Sequence, residues 1–150
     1  MSPSEATNRA TREEWRELGF YYEIQEEPPC WRFIGSSAGL ARFVALLDEY
    51  VRDSRNEVLA EHEHYGPYMY LKIQTAELPE LDRQSIRGSL ANLARLRDLI
   101  ATGLNNLGPG QSFEVGPEYS ESVQLPLRFE VRGAEFDPAA ADPSLGESAV

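Results

Sequence analysis

The chain has 150 residues, 14 of them basic and 25 acidic, for a formal net charge of −11 and a sequence pI near 4.6. That balance argues against a protein that tracks a nucleic-acid backbone, which needs a basic stripe to displace counterions, and against attachment to an anionic membrane; it favours basic partners. The single cysteine, Cys30, rules out an intramolecular disulfide, and without a long apolar run or signal-peptide core the expectation is a soluble protein of a reducing cytoplasm.

In chain order, residues 1–10 are small and polar and read as a flexible tail. TREEWREL (11–18) reads as a short helix capped by Thr11 and stopped by Gly19. FYYEIQEE (20–27) reads as a strand with Phe20, Tyr22 and Ile24 toward the core and Tyr21, Glu23 and Gln25 away from it. WRFI (31–34) is a short apolar strand beside Cys30, a packed thiol. In the helix that follows, Leu40, Phe43, Val44, Leu47 and Val51 form one apolar stripe, with Ser36 or Ser37 at the N-cap. EVLAEHEH (57–64) and YMYLKIQ (68–74) read as strands, the second with Met69, Leu71 and Ile73 on one face and Tyr68, Tyr70 and Lys72 on the other.

The pattern then recurs. QSIR (84–87) leads into a helix with Leu93, Leu96, Ile100 and Leu104 in line, Ser89 as its cap and Asn105, Gly108, Pro109 and Gly110 at its end. QSFEV (111–115) and VQLPLRFEV (123–131) read as strands, with Pro126 placing the latter at an edge or a bulge. Residues 137–150, rich in Ala, Pro, Ser and acid, read as a second flexible tail, leaving 11–136 as one domain.

GSSAGLARFVALL (35–47) and GSLANLARLRDLI (88–100) match at seven of thirteen positions, with Gly35 and Gly88 at tight strand-to-helix turns. Their surroundings agree as well. This predicts an internally duplicated strand-helix-strand-strand unit, with halves at about 30–75 and 83–132, in an α+β fold: a mostly antiparallel sheet with two helices on one face. One extra residue in the later connection aligns Tyr65 with Tyr119, Leu71 with Leu125 and Ile73 with Leu127.

The only histidines, His62 and His64, alternate with Glu61 and Glu63, a spacing that offers two adjacent metal ligands from a strand. The helix-to-helix alignment puts Val115 opposite His62, which predicts His62 on the covered face and favours structural histidines over a metal-dependent enzyme. The sequence holds no nucleophile elbow, phosphate loop, dinucleotide fingerprint or zinc-ligand spacing. No catalytic residue, cofactor or metal is therefore expected. The open sheet face instead gathers Tyr21, Glu23, Glu61, Glu63, Tyr68, Tyr70 and Lys72, an aromatic and acidic patch suited to recognising a basic protein. The alternative expectation is a small-molecule groove between the two halves, walled by Trp31 and Tyr70.

The run Gly35-Ser36 through Leu40-Ala41-Arg42 to Leu46, followed by a histidine-bearing strand and a Leu-x-Ile strand, resembles small bacterial immunity proteins of polymorphic-toxin systems. The likeness is best from Gly35 to Ile73, weaker from Gly88 to Phe129, and covers about half the chain. It implies a non-enzymatic inhibitor that binds a toxin, and the acidic charge of this chain favours a basic protein as that partner. The doubled element order also resembles gyrase-inhibitor-like proteins, which implies a cleft for small organic molecules.

Overall fold

The computed structural model describes residues 4–145. Along the chain run α1 (Glu5–Leu18), β1 (Tyr21–Glu26), β2 (Pro29–Ser36), α2 (Ser37–Arg52), β3 (His62–Tyr65), β4 (Leu71–Thr75), β5 (Glu80–Leu81), β6 (Ile86–Gly88), α3 (Leu90–Asn105), β7 (Ser112–Val115), β8 (Ser122–Val123) and β9 (Leu127–Arg132). This is the α+β class expected from the sequence. The strands form two mixed sheets, however, and not one mostly antiparallel sheet: β1-β2-β9-β7 and β3-β4-β6-β5-β8.

Along the chain β2-α2-β3-β4 is followed, after β5, by β6-α3-β7-β8-β9, a run that differs from the first by the two-residue strand β8 before its last strand. Each run lends its first strand to the other's last. β2 lies parallel to β9 with Gly35 opposite Val131, and β4 lies parallel to β6 with Thr75 opposite Gly88. Neither run completes a sheet alone, and this exchange is why there are two.

Local signals work as expected at the helix starts. Ser36 Oγ accepts from the Gly39 amide and Ser89 Oγ from that of Asn92, each answering a free donor of the first turn. Between the sheets and the helices, Leu40, Phe43, Leu47, Leu93, Leu96 and Ile100 are fully buried. Phe33 stacks on Phe129 at 4.9 Å and touches Phe43 at 4.8 Å, so the apolar stripe of α2 meets the aromatic inner face of the first sheet. Gly88 ends β6 with only the cap Ser89 between it and α3, and a Cβ there would collide with the Tyr119 hydroxyl, which donates to the Arg87 carbonyl at 2.7 Å.

Several boundaries move. α1 begins at Glu5, with Ser4 as its cap accepting from the Thr7 amide, so Thr11 caps nothing and residues 5–10 are helical. At the other end, residues expected as tail form two 3-10 turns, Pro138–Ala141 and Pro143–Leu145, that bury Ala139, Asp142 and Leu145. Asp137 and Asp142 each accept an amide two residues on, just ahead of a proline, which closes these turns locally. The Arg16–Asp137 ion pair, at 3.0 Å, ties them to α1. Residues 1–3 and 146–150 of the expected tails lie outside the described residues. The strand expected at 57–64 shrinks to β3 because Ala60 is left-handed at φ 75°, and that at 68–74 starts only at Leu71 because Met69 is left-handed at φ 60°. Pro126 splits 123–131 into β8 and β9. Lacking an N–H, it precedes the ladder, so β9 sits inside the sheet and not at an edge.

Candidate functional site

The edge of the first sheet, the β3–β4 connection, α1 and the C-terminal turns meet around a half-open pocket of about 250 Å³. Tyr21, Tyr22, Glu23 and Ile24 come from β1, and Trp31 from β2. Trp15 comes from α1, Tyr68 and Tyr70 from the connection, and Asp142, Pro143 and Ser144 from the last turns. Both tryptophans of the chain are here. Two larger hollows of about 400 Å³ contain one aromatic residue between them, Tyr119.

The aromatic walls are held at their polar ends. Trp31 Nε1 donates to the Asp82 carbonyl at 2.7 Å and the Tyr22 hydroxyl to the Tyr65 carbonyl at 2.5 Å. Gly66, at φ 88°, lets that tyrosine in: a Cβ there would strike its ring. Trp15 Nε1 and the Tyr68 hydroxyl both donate to Asp142 Oδ2, at 2.9 and 2.6 Å, and the Ser144 amide donates to Oδ1 at 2.8 Å. Trp15 packs on Tyr21 at 4.8 Å and edge-on to Tyr22 at 5.2 Å. With these groups so engaged, the pocket presents mostly ring and hydrocarbon.

Two carboxylates border it and differ in what answers them. Glu23 pairs with Arg32 at 3.0 Å, and Arg32 pairs with Glu130 at 2.6 Å. Glu130 also takes Arg128 and Arg132, and these arginines, Arg32 first, hold its carboxyl down at about 2. Asp142 is 4% exposed and receives three neutral donors, but among the described residues no basic side chain pairs with it. The field is felt nearby. Burial first, then the charges of Glu23 and Asp142, raise the Tyr21 hydroxyl far above its usual value, and burial plus the bond to Asp142 push Tyr68 up to about 12. Cys30 is buried in the same sheet, and burial pushes its thiol up, away from reactive thiolate character.

Five expected residues come together here: Tyr21, Glu23, Trp31, Tyr68 and Tyr70. The patch and the groove are thus largely one place, but neither has the expected form. Tyr21 is 5% exposed, against α1, so the face is not open there. Glu61 and Glu63 stay exposed at β3, and Lys72 lies half-buried on β4, away from the pocket. Nor does the groove run between the two strand-helix-strand-strand runs. β1, β2 and the β3–β4 connection all lie in the first half of the chain, and the C-terminal turns close the pocket. Sequence reasoning missed Trp15, Tyr22 and Asp142–Ser144. The available signal for the last was Asp-Pro, twice, at 137–138 and 142–143.

The histidines are also displaced. Ile73 pairs with Glu63 as Phe129 pairs with Phe113, and Leu71 with Tyr65 as Leu127 with Val115. Setting Gly35 on Gly88 through the parallel pairs therefore matches Val115 to Tyr65 and Ser112 to His62. His62 is exposed, not buried, and the burial argument against a metal there fails. The connections after the two helices differ in length, so an alignment anchored on the helices slides out of register by the strands.

Compared with protein-family models, curated proteins and solved structures, the chain matches none. Among the described residues no helix is long and apolar enough to cross a membrane.

Proposed function

We propose that this chain is a non-enzymatic binding protein whose ligand is a small, flat or compact organic cation held in the Trp15–Trp31–Tyr70 pocket. The observation that carries this is Asp142: a buried carboxylate without a cationic partner among the described residues, set in aromatic walls. Ring faces attract cations through their quadrupole, most strongly where water is excluded, and a nearby negative charge adds to that attraction. Glu23 supports the same sign but is already paired with Arg32. A volume of about 250 Å³ lies just below the usual range for drug-sized ligands and suits a single ring with a compact charged group. This reading is favoured over docking of a basic protein because Tyr21, Glu61 and Lys72 do not form one exposed surface.

The test uses the two tryptophans as reporters. Benzyltrimethylammonium is titrated into the protein while intrinsic fluorescence is followed, with benzyl alcohol and benzoate as neutral and anionic controls. A saturable change with the cation, a weaker one with the alcohol and none with benzoate is the expected result. Equal responses to all three, or to none, overturn the proposal.

A further inference from the structure

β3 is the outermost strand of the second sheet, and His62 and His64 project exposed from the same side of it. His62 Nδ1 lies 3.0 Å from the Ala60 carbonyl oxygen and His64 Nδ1 lies 2.9 Å from that of Met69. A carbonyl only accepts, so in both rings Nδ1 is the donor, and the neutral imidazole is left with a bare lone pair on Nε2. This is the arrangement by which proteins prepare histidine as a ligand, one nitrogen fixed on a backbone oxygen and the other free for the ion. The ring centres are 5.2 Å apart. An ion about 2.0–2.1 Å from each nitrogen lies about 3.2 Å from each ring centre, which places two imidazoles on one square or tetrahedral ion about 4.5–5.2 Å apart. The two left-handed residues Ala60 and Met69 supply both carbonyls, so the breaks that shorten the strands also orient the rings.

We infer that His62 and His64 form a two-histidine clip for a borderline divalent transition-metal ion, with solvent completing its shell. Among the described residues no group of three or more histidine, cysteine or carboxylate side chains is placed to enclose an ion, so the protein supplies two ligands. Imidazole nitrogens favour Cu²⁺ over Ni²⁺, and neither competes well for Mg²⁺, which takes oxygen. The clip is independent of the aromatic pocket.

The full chain is dialysed against CuCl₂, NiCl₂ or MgCl₂ alone, with ¹⁵N-histidine spectra recorded on adding ZnCl₂. One saturable Cu²⁺ per chain, tighter than Ni²⁺, is expected, with Zn²⁺ shifting Nε2 while Nδ1 keeps its proton. His62→Gln and His64→Gln should each weaken Cu²⁺ by at least about tenfold. Both side chains are exposed, so an unchanged melting temperature confirms that the variants are folded. Cu²⁺ binding that survives both substitutions, Mg²⁺ binding of equal strength, or no saturable uptake overturns the inference.

Discussion

Replacing Asp142 by asparagine tests the proposed ligand charge with little change of shape. The carboxylate now accepts from Trp15 Nε1, the Tyr68 hydroxyl and the Ser144 amide. An amide has one accepting oxygen and one donating nitrogen, so in Asp142→Asn either the Oδ2 pair or the Ser144 amide faces a donor. Bonds to a charged acceptor contribute about 1.5–3 kcal/mol and neutral ones about 0.5–1.5 kcal/mol. Relief from burying an unpaired charge offsets part of that loss. A net cost of about 1–2 kcal/mol is expected, or a melting temperature lower by about 3–7 °C for a chain of this size. The effect on a bound cation is separate. Two unit charges about 5 Å apart attract by about 3 kcal/mol at an effective dielectric near 20, and a half-open pocket halves that figure. Benzyltrimethylammonium affinity should therefore fall by about 10- to 100-fold, while benzyl alcohol is unaffected. Tryptophan fluorescence gives both constants, and a thermal melt gives the stability. If the variant binds the cation as tightly as the parent, or loses cation and alcohol equally, the electrostatic reasoning is wrong.

Tyr70→Ala should weaken the same cation by about 0.5–1 kcal/mol of ring attraction, the range for an exposed ring, without lowering the melting temperature, since Tyr70 is 69% exposed; unchanged affinity would remove that wall from the site. Acid should expose the arginine cluster around Glu130. A carboxyl depressed in the fold stabilises above its unfolded pKa of 4.5 and loses that contribution as pH falls through its folded value of about 2. Solvent screening at the partly exposed Arg128 and Arg132 limits it to about 1–2 kcal/mol. Urea midpoints between pH 5 and pH 2 should therefore fall less steeply in Glu130→Gln than in the parent, and parallel curves would refute this. Gly39→Ala should cost about 1–3 kcal/mol in a thermal melt, because the added methyl meets the Gly19 backbone carbonyl, which cannot rotate away; a neutral result would mean that α2 shifts freely against the α1–β1 corner.

The α+β class, the two long helices and their serine caps were legible in the chain because they rest on periodicity and on contacts within three or four residues. Leu40, Phe43 and Leu47 announce their stripe, and Ser36 and Ser89 announce their helix starts. The strand register was not legible. Met69 and Ala60 carry no sequence mark of a left-handed conformation, yet each shortens a strand and decides which side chains share its face. The site was half legible. Tyr21, Glu23, Trp31, Tyr68 and Tyr70 stood out as residues suited to recognition, but nothing local says that they surround one space. That was decided by Asp142, which bonds Tyr68 and Trp15 from 74 and 127 residues away. Sequence patterns report the interactions a segment makes with itself; a pocket closed by both ends of the chain exists only once long-range packing has brought those ends together.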